Sequence, residues 1–200
     1  MTMALQLLDY RRRVFALYAE VRAQHDADPH GAHEHWQAVR HQLYAHHPQS
    51  PVPEPSRGDV ALSYFPYDPA FSVVAQVDTD VEQERFPIAT STGAAMDFVR
   101  CGTVAVPWGT LDLYWLDAYG GGLFLPFRDA TAGDTTYGGG RYLFDTVKGA
   151  DLGSTHSGEL ILDFNFAYHP SCLYDPQWNC PLAPPDNRLE VAIGAGERLA

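Results

Sequence analysis

The sequence predicts an α+β fold that is mainly β: an N-terminal helical hairpin followed by an antiparallel β-barrel or two-sheet sandwich. Three observations predict it. Apolar residues recur at helical spacing only up to about residue 47, and a proline-rich stretch follows. Beyond it come short β-branched or aromatic runs, punctuated by Gly, Asp and Pro, with no helical pattern between them.

From Leu5 to Arg22, the residues Leu7, Tyr10, Val14, Leu17, Tyr18 and Val21 fall near the helical period, leaving Arg11, Arg12, Arg13 and Glu20 for a wet face. Asp28 before Pro29 is an N-cap with proline at the first helical position. Ala32, Trp36, Val39 and Leu43 then continue at helical spacing until Pro48 stops the run. Residues 1–47 therefore form a hairpin whose apolar stripes need the rest of the chain as a partner. Residues 48–58 hold four prolines and predict an extended, semi-rigid connector laid on the body. Residues 59–200 form the β-rich part, and one globular unit is expected overall.

The expected strands are Phe71–Val77, Ala95–Arg100, Thr103–Val106, Thr110–Leu116, Leu123–Phe127, Arg141–Phe144, Glu159–Asn165 and Leu189–Ile193. In Thr110–Leu116, alternation places Leu111, Leu113 and Trp115 on one face and Asp112 and Tyr114 on the other, the pattern of a sheet with one buried side. Between the two β architectures the pattern favours a small barrel.

A formal charge of -12, from 25 acidic against 13 basic side chains, makes a surface that repels phosphate backbones and anionic lipid, so neither nucleic acid nor membrane is an expected partner. Lys148 is the single lysine and receives no functional weight. The arginines at the N-terminus follow a short apolar stretch, the reverse of a secretory signal, and no apolar run reaches ~18 residues. A cytoplasmic location is expected. Cys101, Cys172 and Cys180 are too few for a disulfide scaffold and are read as free thiols, with a Cys172–Cys180 bridge as the alternative.

Seven of the nine histidines lie between His25 and His47, but His30, His33 and Glu34 do not have the His-Glu-x-x-His spacing of a zinc helix, and a solvated polar face is expected. The segment around Asp129, Thr131, Asp134 and Thr135 reads as a tight loop. Gly138, Gly139 and Gly140 follow, suited to close approach of a ligand or of another part of the chain. Arg141, just beyond them, is either a clamp for a ligand's carboxylate or half of an internal ion pair with Asp129, Asp145 or Asp163. Alternation puts Asp163 and Asn165 together on one strand face, where they can line a pocket. No metal site is expected. His169, Cys172 and Cys180 are zinc-ligand types, with Asp163 or Asp175 as a fourth, yet their spacing matches no standard zinc knuckle or ribbon, and a Cys with a His three residues away is not evidence of a nucleophile–base pair.

Several of these stretches resemble one family. They are Thr135-Thr-Tyr-Gly-Gly-Gly-Arg-Tyr, Leu162-Asp-Phe-Asn-x-Ala-Tyr-x-Pro-x-Cys-x-Tyr, Cys180-Pro-Leu-Ala-Pro-Pro-Asp-Asn-Arg-Leu and Ala195-Gly-Glu, with Trp36-x-x-x-Arg40, His47-Pro-Gln-Ser-Pro51 and Tyr64-Phe-Pro-Tyr-Asp-Pro69 upstream. Together they are similar to the bacterial and archaeal family called domain of unknown function 1684. The resemblance implies no activity or cofactor. The family pattern has asparagine where this chain has His169, so the likeness brings no histidine base or ligand to that position.

The expected function is binding of a small polar or anionic metabolite near Tyr137, Arg141, Asp163, Asn165 and Tyr168, with Asp129 beside Arg141. The alternative is a small enzyme, a hydrolase, in which Asp163 or His169 is the base and Tyr137 or Arg141 stabilises developing charge. The third reading is a structural or interaction protein whose helical hairpin makes a homodimer contact. The three glycines are expected to admit the Pro/Cys loop of residues 170–180 or a ligand, with the loop slightly favoured.

Overall fold

The computed structural model describes residues 2–200. Helix α1 (Met3–His25) and helix α2 (Pro29–His46) form the hairpin, and Asp28 caps α2 by accepting the Gly31 N–H at 2.9 Å. Pro48 blocks continuation, as its missing N–H requires. The connector departs from the extended expectation. Glu54–Asp59 winds into a 3-10 turn, and Arg57 donates back to the carbonyls of Val52 and Pro48, so local side-chain bonds fold the prolines down.

The strands are β1 (Ser63–Tyr64), β2 (Ser72–Ala75), β3 (Val77–Asp78), β4 (Arg85–Ala89), β5 (Ala95–Val106), β6 (Gly109–Leu116), β7 (Leu123–Phe127), β8 (Arg141–Asp145), β9 (Leu160–Asp163) and β10 (Glu197–Arg198). All pair antiparallel. The main sheet runs β3-β5-β6-β7-β8, with β4 also on β5, while β2 pairs β9 and β1 pairs β10 in two small sheets. The favoured barrel does not form: the main sheet stays open, and the β2–β9 pair packs across it in the manner of a sandwich. The runs expected as two strands, 95–100 and 103–106, are one long β5 interrupted by a bulge at Cys101, where the register shifts between Arg100 and Gly102. The segment 189–193 is not a strand, and β4 was not foreseen because Pro87 obscures its pattern.

The one-sided sheet expected from alternation in β6 is corrected by the hairpin. Leu111 and Leu113 enter one core with Leu125, Phe127, Leu162 and Phe164. Tyr114 enters a second core, where Phe98, Phe124 and Tyr142 meet Leu17, Val21 and Trp36 from the helices. Trp115 remains 42% exposed near the strand's end. A sheet covered on both faces cannot show polar-out alternation, because it has no solvent face in its centre. Among the described residues, no helix is long and apolar enough to cross a membrane.

The glycine run is explained by the chain itself. Gly140 has φ +94°, and a Cβ there would sit 2.6 Å from the Phe127 carbonyl oxygen and 2.8 Å from the Ala183 methyl. The Gly139 carbonyl accepts the Ala183 N–H at 3.2 Å, so the segment following Cys180 lies directly on the glycines. Gly140→Ala should cost at least ~1–2 kcal/mol from its left-handed backbone alone. Gly138, whose added Cβ would find nothing closer than 3.6 Å, should tolerate alanine. Urea unfolding of the two variants tests this: equal losses would show that close approach is not what the run provides.

Candidate functional site

Antiparallel pairing places Phe127 opposite Arg141, and Asp129, two residues beyond β7, lands beside the guanidinium. Arg141 Nη2 donates to Asp129 Oδ2 at 3.1 Å and to the Ile193 carbonyl at 3.0 Å, while Nη1 donates to the carbonyls of Ala195 and Glu197. Asp129 also accepts the Ile193 N–H and the Thr131 hydroxyl, each at 2.7 Å. Both side chains are 1% exposed. Burial lowers the Arg141 pKa to about 10 against the pull of Asp129, which leaves it charged at neutral pH. Of the two sequence readings, the geometry matches the internal ion pair. Arg141 straps the C-terminal segment to β8.

Asp163 and Asn165 do not share a strand face. The chain leaves β9 at Asp163 and turns through Phe164–Phe166, with Asp163 Oδ1 capping the turn by accepting the Asn165 N–H at 2.9 Å and its side-chain amide at 2.8 Å. Asn165 in turn clamps the Asp68 backbone, accepting its N–H at 3.0 Å and donating to its carbonyl at 2.9 Å. Asp163 Oδ2 meets His25 Nε2 at 3.0 Å and accepts the Tyr67 hydroxyl at 3.2 Å. Both residues are fully buried. The expectation that they look out together into a pocket is therefore corrected: a 3-10 turn reverses the alternation, and their polar atoms face each other and the Tyr64–Pro69 segment.

The histidine-rich hairpin is less solvated than expected. His33 is buried, stacked on Trp36 with ring centroids 5.7 Å apart, and burial lowers its pKa. Among the described residues, no three His, Cys, Asp or Glu side chains are placed to hold a metal ion. His169 is also buried, and its Nε2 accepts the Tyr137 N–H at 3.2 Å, which makes it the neutral tautomer protonated on Nδ1. Burial pulls its pKa down to about 4.

Sequence reasoning missed the polar centre beside it. Arg40 of α2 donates to Glu197 Oε2 at 2.9 Å, the same oxygen accepts the His169 N–H at 2.8 Å, and the Tyr174 hydroxyl donates to Oε1. The guanidinium lies 4.7, 4.9 and 4.8 Å from the ring centroids of Trp36, Tyr44 and Tyr168. Both ends were present in the quoted stretches Trp36-x-x-x-Arg40 and Ala195-Gly-Glu, but nothing in a linear sequence pairs positions 157 residues apart.

Next to this centre the structure opens. A chamber of about 250 Å³ lies between α1 and the Pro/Cys loop. Helix α1 supplies Tyr10 and Arg11, the turn after β8 supplies Lys148, and the loop supplies Ser171, Trp178 and Cys180. It continues past Tyr10, Val14, Lys148 and Ser171 into a recess of about 70 Å³, walled by Tyr18, Tyr44, Tyr142 and Tyr168 with Arg40 among them. Tyr168 is the one sequence-stated site residue that lines it; its hydroxyl donates to Asp145 Oδ2 at 3.4 Å. Burial pushes the Tyr18 phenol up to about 12 and raises Tyr142 and Tyr168 as well, so these walls present neutral hydroxyls at physiological pH. Trp178 is held by its indole N–H on the Pro51 carbonyl at 2.9 Å, and Lys148 by Asp145 at 2.8 Å. A wider groove between α1 and α2 mixes Asp9 and Glu20 with Arg13 and is more open, an ordinary solvated surface.

Comparison with known proteins adds a family and a relative. The family model described as "Protein of unknown function (DUF1684)" matches residues 60–198. The solution NMR structure of an uncharacterized protein from gene locus rrnAC0354 of Haloarcula marismortui is 34% identical, covers 87% of this chain and 97% of that one, and superposes with a TM-score of 0.56. No curated protein matches the chain.

Two predictions follow from these buried groups. Arg141→Met leaves the Asp129 carboxylate buried without its cation and should cost ~3–5 kcal/mol in chemical unfolding; a loss below ~1 kcal/mol would show that Arg141 is no strap. For His169, the folded state binds its proton less well than the unfolded chain does, so its contribution to stability is lost as pH falls from 6.5 toward about 4. His169→Gln, which keeps an acceptor near Nε2, should flatten the melting temperature across that window relative to the unaltered protein; parallel curves would contradict it.

Proposed function

The chain belongs to the DUF1684 family, and from that premise we propose that it binds a small anionic organic molecule in the chamber between α1 and the Pro/Cys loop. One observation supports this above the rest. In a protein of formal charge -12, the charged side chains lining the chamber are Arg11 and Lys148, both cations, of which Lys148 is also paired with Asp145 at 2.8 Å. A cationic cleft in an anionic surface concentrates small anions locally, while the surrounding charge repels polyanions such as nucleic acid.

The walls set the size and character of the occupant. A chamber of about 250 Å³ is smaller than the ~300–1,000 Å³ of sites for drug-sized ligands, so the molecule is smaller than a nucleotide. Tyr10 and Trp178 offer faces for a flat apolar portion, Lys148 and Arg11 sit where an anionic head would pair, and the tyrosine hydroxyls of the recess can donate to its oxygens. This site lies on the helix side of the sheet, adjoining Tyr168. The binding class expected from sequence is kept, and its position moves away from Arg141, Asp163 and Asn165, whose polar atoms are engaged inside the fold.

A thermal-shift screen of aromatic carboxylates and small phosphate esters tests the reading. Members of one of these classes should raise the melting temperature of the unaltered protein. Arg11→Gln, at an exposed position, should reduce that rise with little change in the unliganded melting temperature, whereas Lys148→Gln should abolish it and also lower the unliganded melting temperature, because it removes the cation paired with the buried Asp145. Stabilisation that survives both Lys148→Gln and Arg11→Gln, or no stabilisation by any anion, would remove the proposal.

A further inference from the structure

The recess beside the chamber holds more hydrogen-bond donors than acceptors. It shares Tyr10, Val14, Lys148 and Ser171 with the chamber and adds Arg40, which does not line the chamber itself. Arg40 is 7% exposed, and its fork is only partly used. Nε donates to the Tyr64 hydroxyl at 3.4 Å, and Nη2 donates to Glu197 at 2.9 Å and to the Tyr44 hydroxyl at 3.3 Å, while Nη1 donates to no acceptor among the described residues. Among those residues, Arg128 Nε is the one side-chain polar atom enclosed by protein without a partner, so Arg40 Nη1 is not sealed in but keeps open space beside it.

The hydroxyls divide in the same way. Tyr142 and Tyr168 give their protons to the Pro181 carbonyl and to Asp145. Tyr18 and Tyr44 only accept, from the Trp36 indole N–H at 3.1 Å and from Arg40, and have protons still to donate. The hydroxyls of Tyr10 and Ser171 bond to no other described residue. Burial raises the pKa of Tyr10, Tyr18 and Tyr44, so each keeps its proton as a donor. The backbone acceptors of this wall are already taken: the carbonyls of Ala150, Tyr168 and Pro170 accept the N–H groups of Asp145, Tyr142 and Leu173. A cation and several hydroxyl protons without acceptors are matched by an anionic oxygen pair.

Charge sets how anionic that group can be. Arg11, Lys148 and Arg40 are the cations lining chamber and recess, and the carboxylates paired with them are Asp145 on Lys148 at 2.8 Å and Glu197 on Arg40 at 2.9 Å. Three positive charges against two negative leave one to be balanced. A monoanion balances it, whereas a phosphate dianion would place an uncompensated negative charge in a partly buried site.

We propose that the recess is a carboxylate site, and that the anion held by the chamber is a small monocarboxylate whose head takes Arg40 Nη1 and the Tyr10 and Ser171 hydroxyls. The inference rests on the chamber reading and narrows it from anions in general to carboxylates. A recess of about 70 Å³ takes only the charged end of a molecule, and the adjoining chamber of about 250 Å³ takes its body against Tyr10 and Trp178. The rings of Trp36, Tyr44 and Tyr168 and the Glu197 carboxylate hold the guanidinium in place before any ligand arrives, so no ordering of Arg40 is charged against binding.

Titration calorimetry with benzoate, with its neutral isostere benzamide and with phenyl phosphate tests the proposal, at a mildly alkaline pH where the phosphate ester is a dianion. Benzoate should bind at least about tenfold more tightly than either of the others, the difference expected for one charge-assisted hydrogen bond. Tyr10→Phe and Ser171→Ala each delete a hydroxyl without a protein partner, so each should weaken benzoate by about tenfold while leaving the unliganded melting temperature unchanged. A structural role would give the opposite pairing of results. Arg40→Lys keeps a cation for Glu197 but loses Nη1 and should abolish binding; because Arg40 also supports the fold, the two hydroxyl variants decide. Equal affinity for benzoate and benzamide, or benzoate binding unchanged in both hydroxyl variants, would overturn the proposal. Phenyl phosphate bound in preference to benzoate and weakened by Arg11→Gln would overturn it and leave the chamber reading standing, whereas binding of neither anion would remove both.

Discussion

The carboxylate of Glu197 is the point on which the architecture depends. It is 1% exposed and receives donors from three separate parts of the chain: Arg40 of the hairpin, the His169 backbone and the Tyr174 hydroxyl. An isolated buried carboxylate is very unfavourable, and only a complete set of charge-assisted donors makes its burial tolerable. That requirement fixes where α2, the residue 170–180 loop and the C-terminal strand sit relative to one another, since moving any one of them strips a donor from the charge. The aromatic rings around Arg40 add cation–π contacts that hold the guanidinium in a single orientation.

A second buried pair, Arg141 with Asp129, also holds the C-terminal segment. Arg141 donates to three carbonyls of the chain between Ile193 and Glu197, a stretch in which only Glu197 belongs to a strand. Backbone without ladder partners needs side-chain partners when buried. The two ion pairs together explain how an irregular tail of the chain can be buried as deeply as its strands. The chamber differs in that Arg11 and Lys148 are the charged side chains of its wall, although Lys148 is itself paired with Asp145.

Much of the fold was legible. The hairpin, with Asp28 as its cap and Pro48 as its stop, follows from helical spacing and the chemistry of capping. Leu123–Phe127 and Arg141–Phe144 were legible as strands because continuous apolar or aromatic runs bounded by Gly, Asp and Pro have few other solutions. The site was legible only as an inventory. Tyr137, His169, Cys172 and Cys180 were recognised as chemistry-bearing types, while Lys148 was set aside as a matter of composition, and Arg40 and Glu197 were not singled out as partners.

Local pattern decides local structure, because period, caps and turn residues act over a few positions, and composition settles the charge of the surface. Those the sequence by itself determined, together with the family resemblance. Which face of the sheet the helices cover, which Asp meets Arg141, and whether Asp163 looks outward or toward Asn165 depend on contacts between residues far apart in the chain. Tertiary structure decided them, and the physical reason is desolvation: once a charge is buried, its partners are chosen by whatever donors the packed fold brings within hydrogen-bonding distance, and one-dimensional spacing holds no record of that choice.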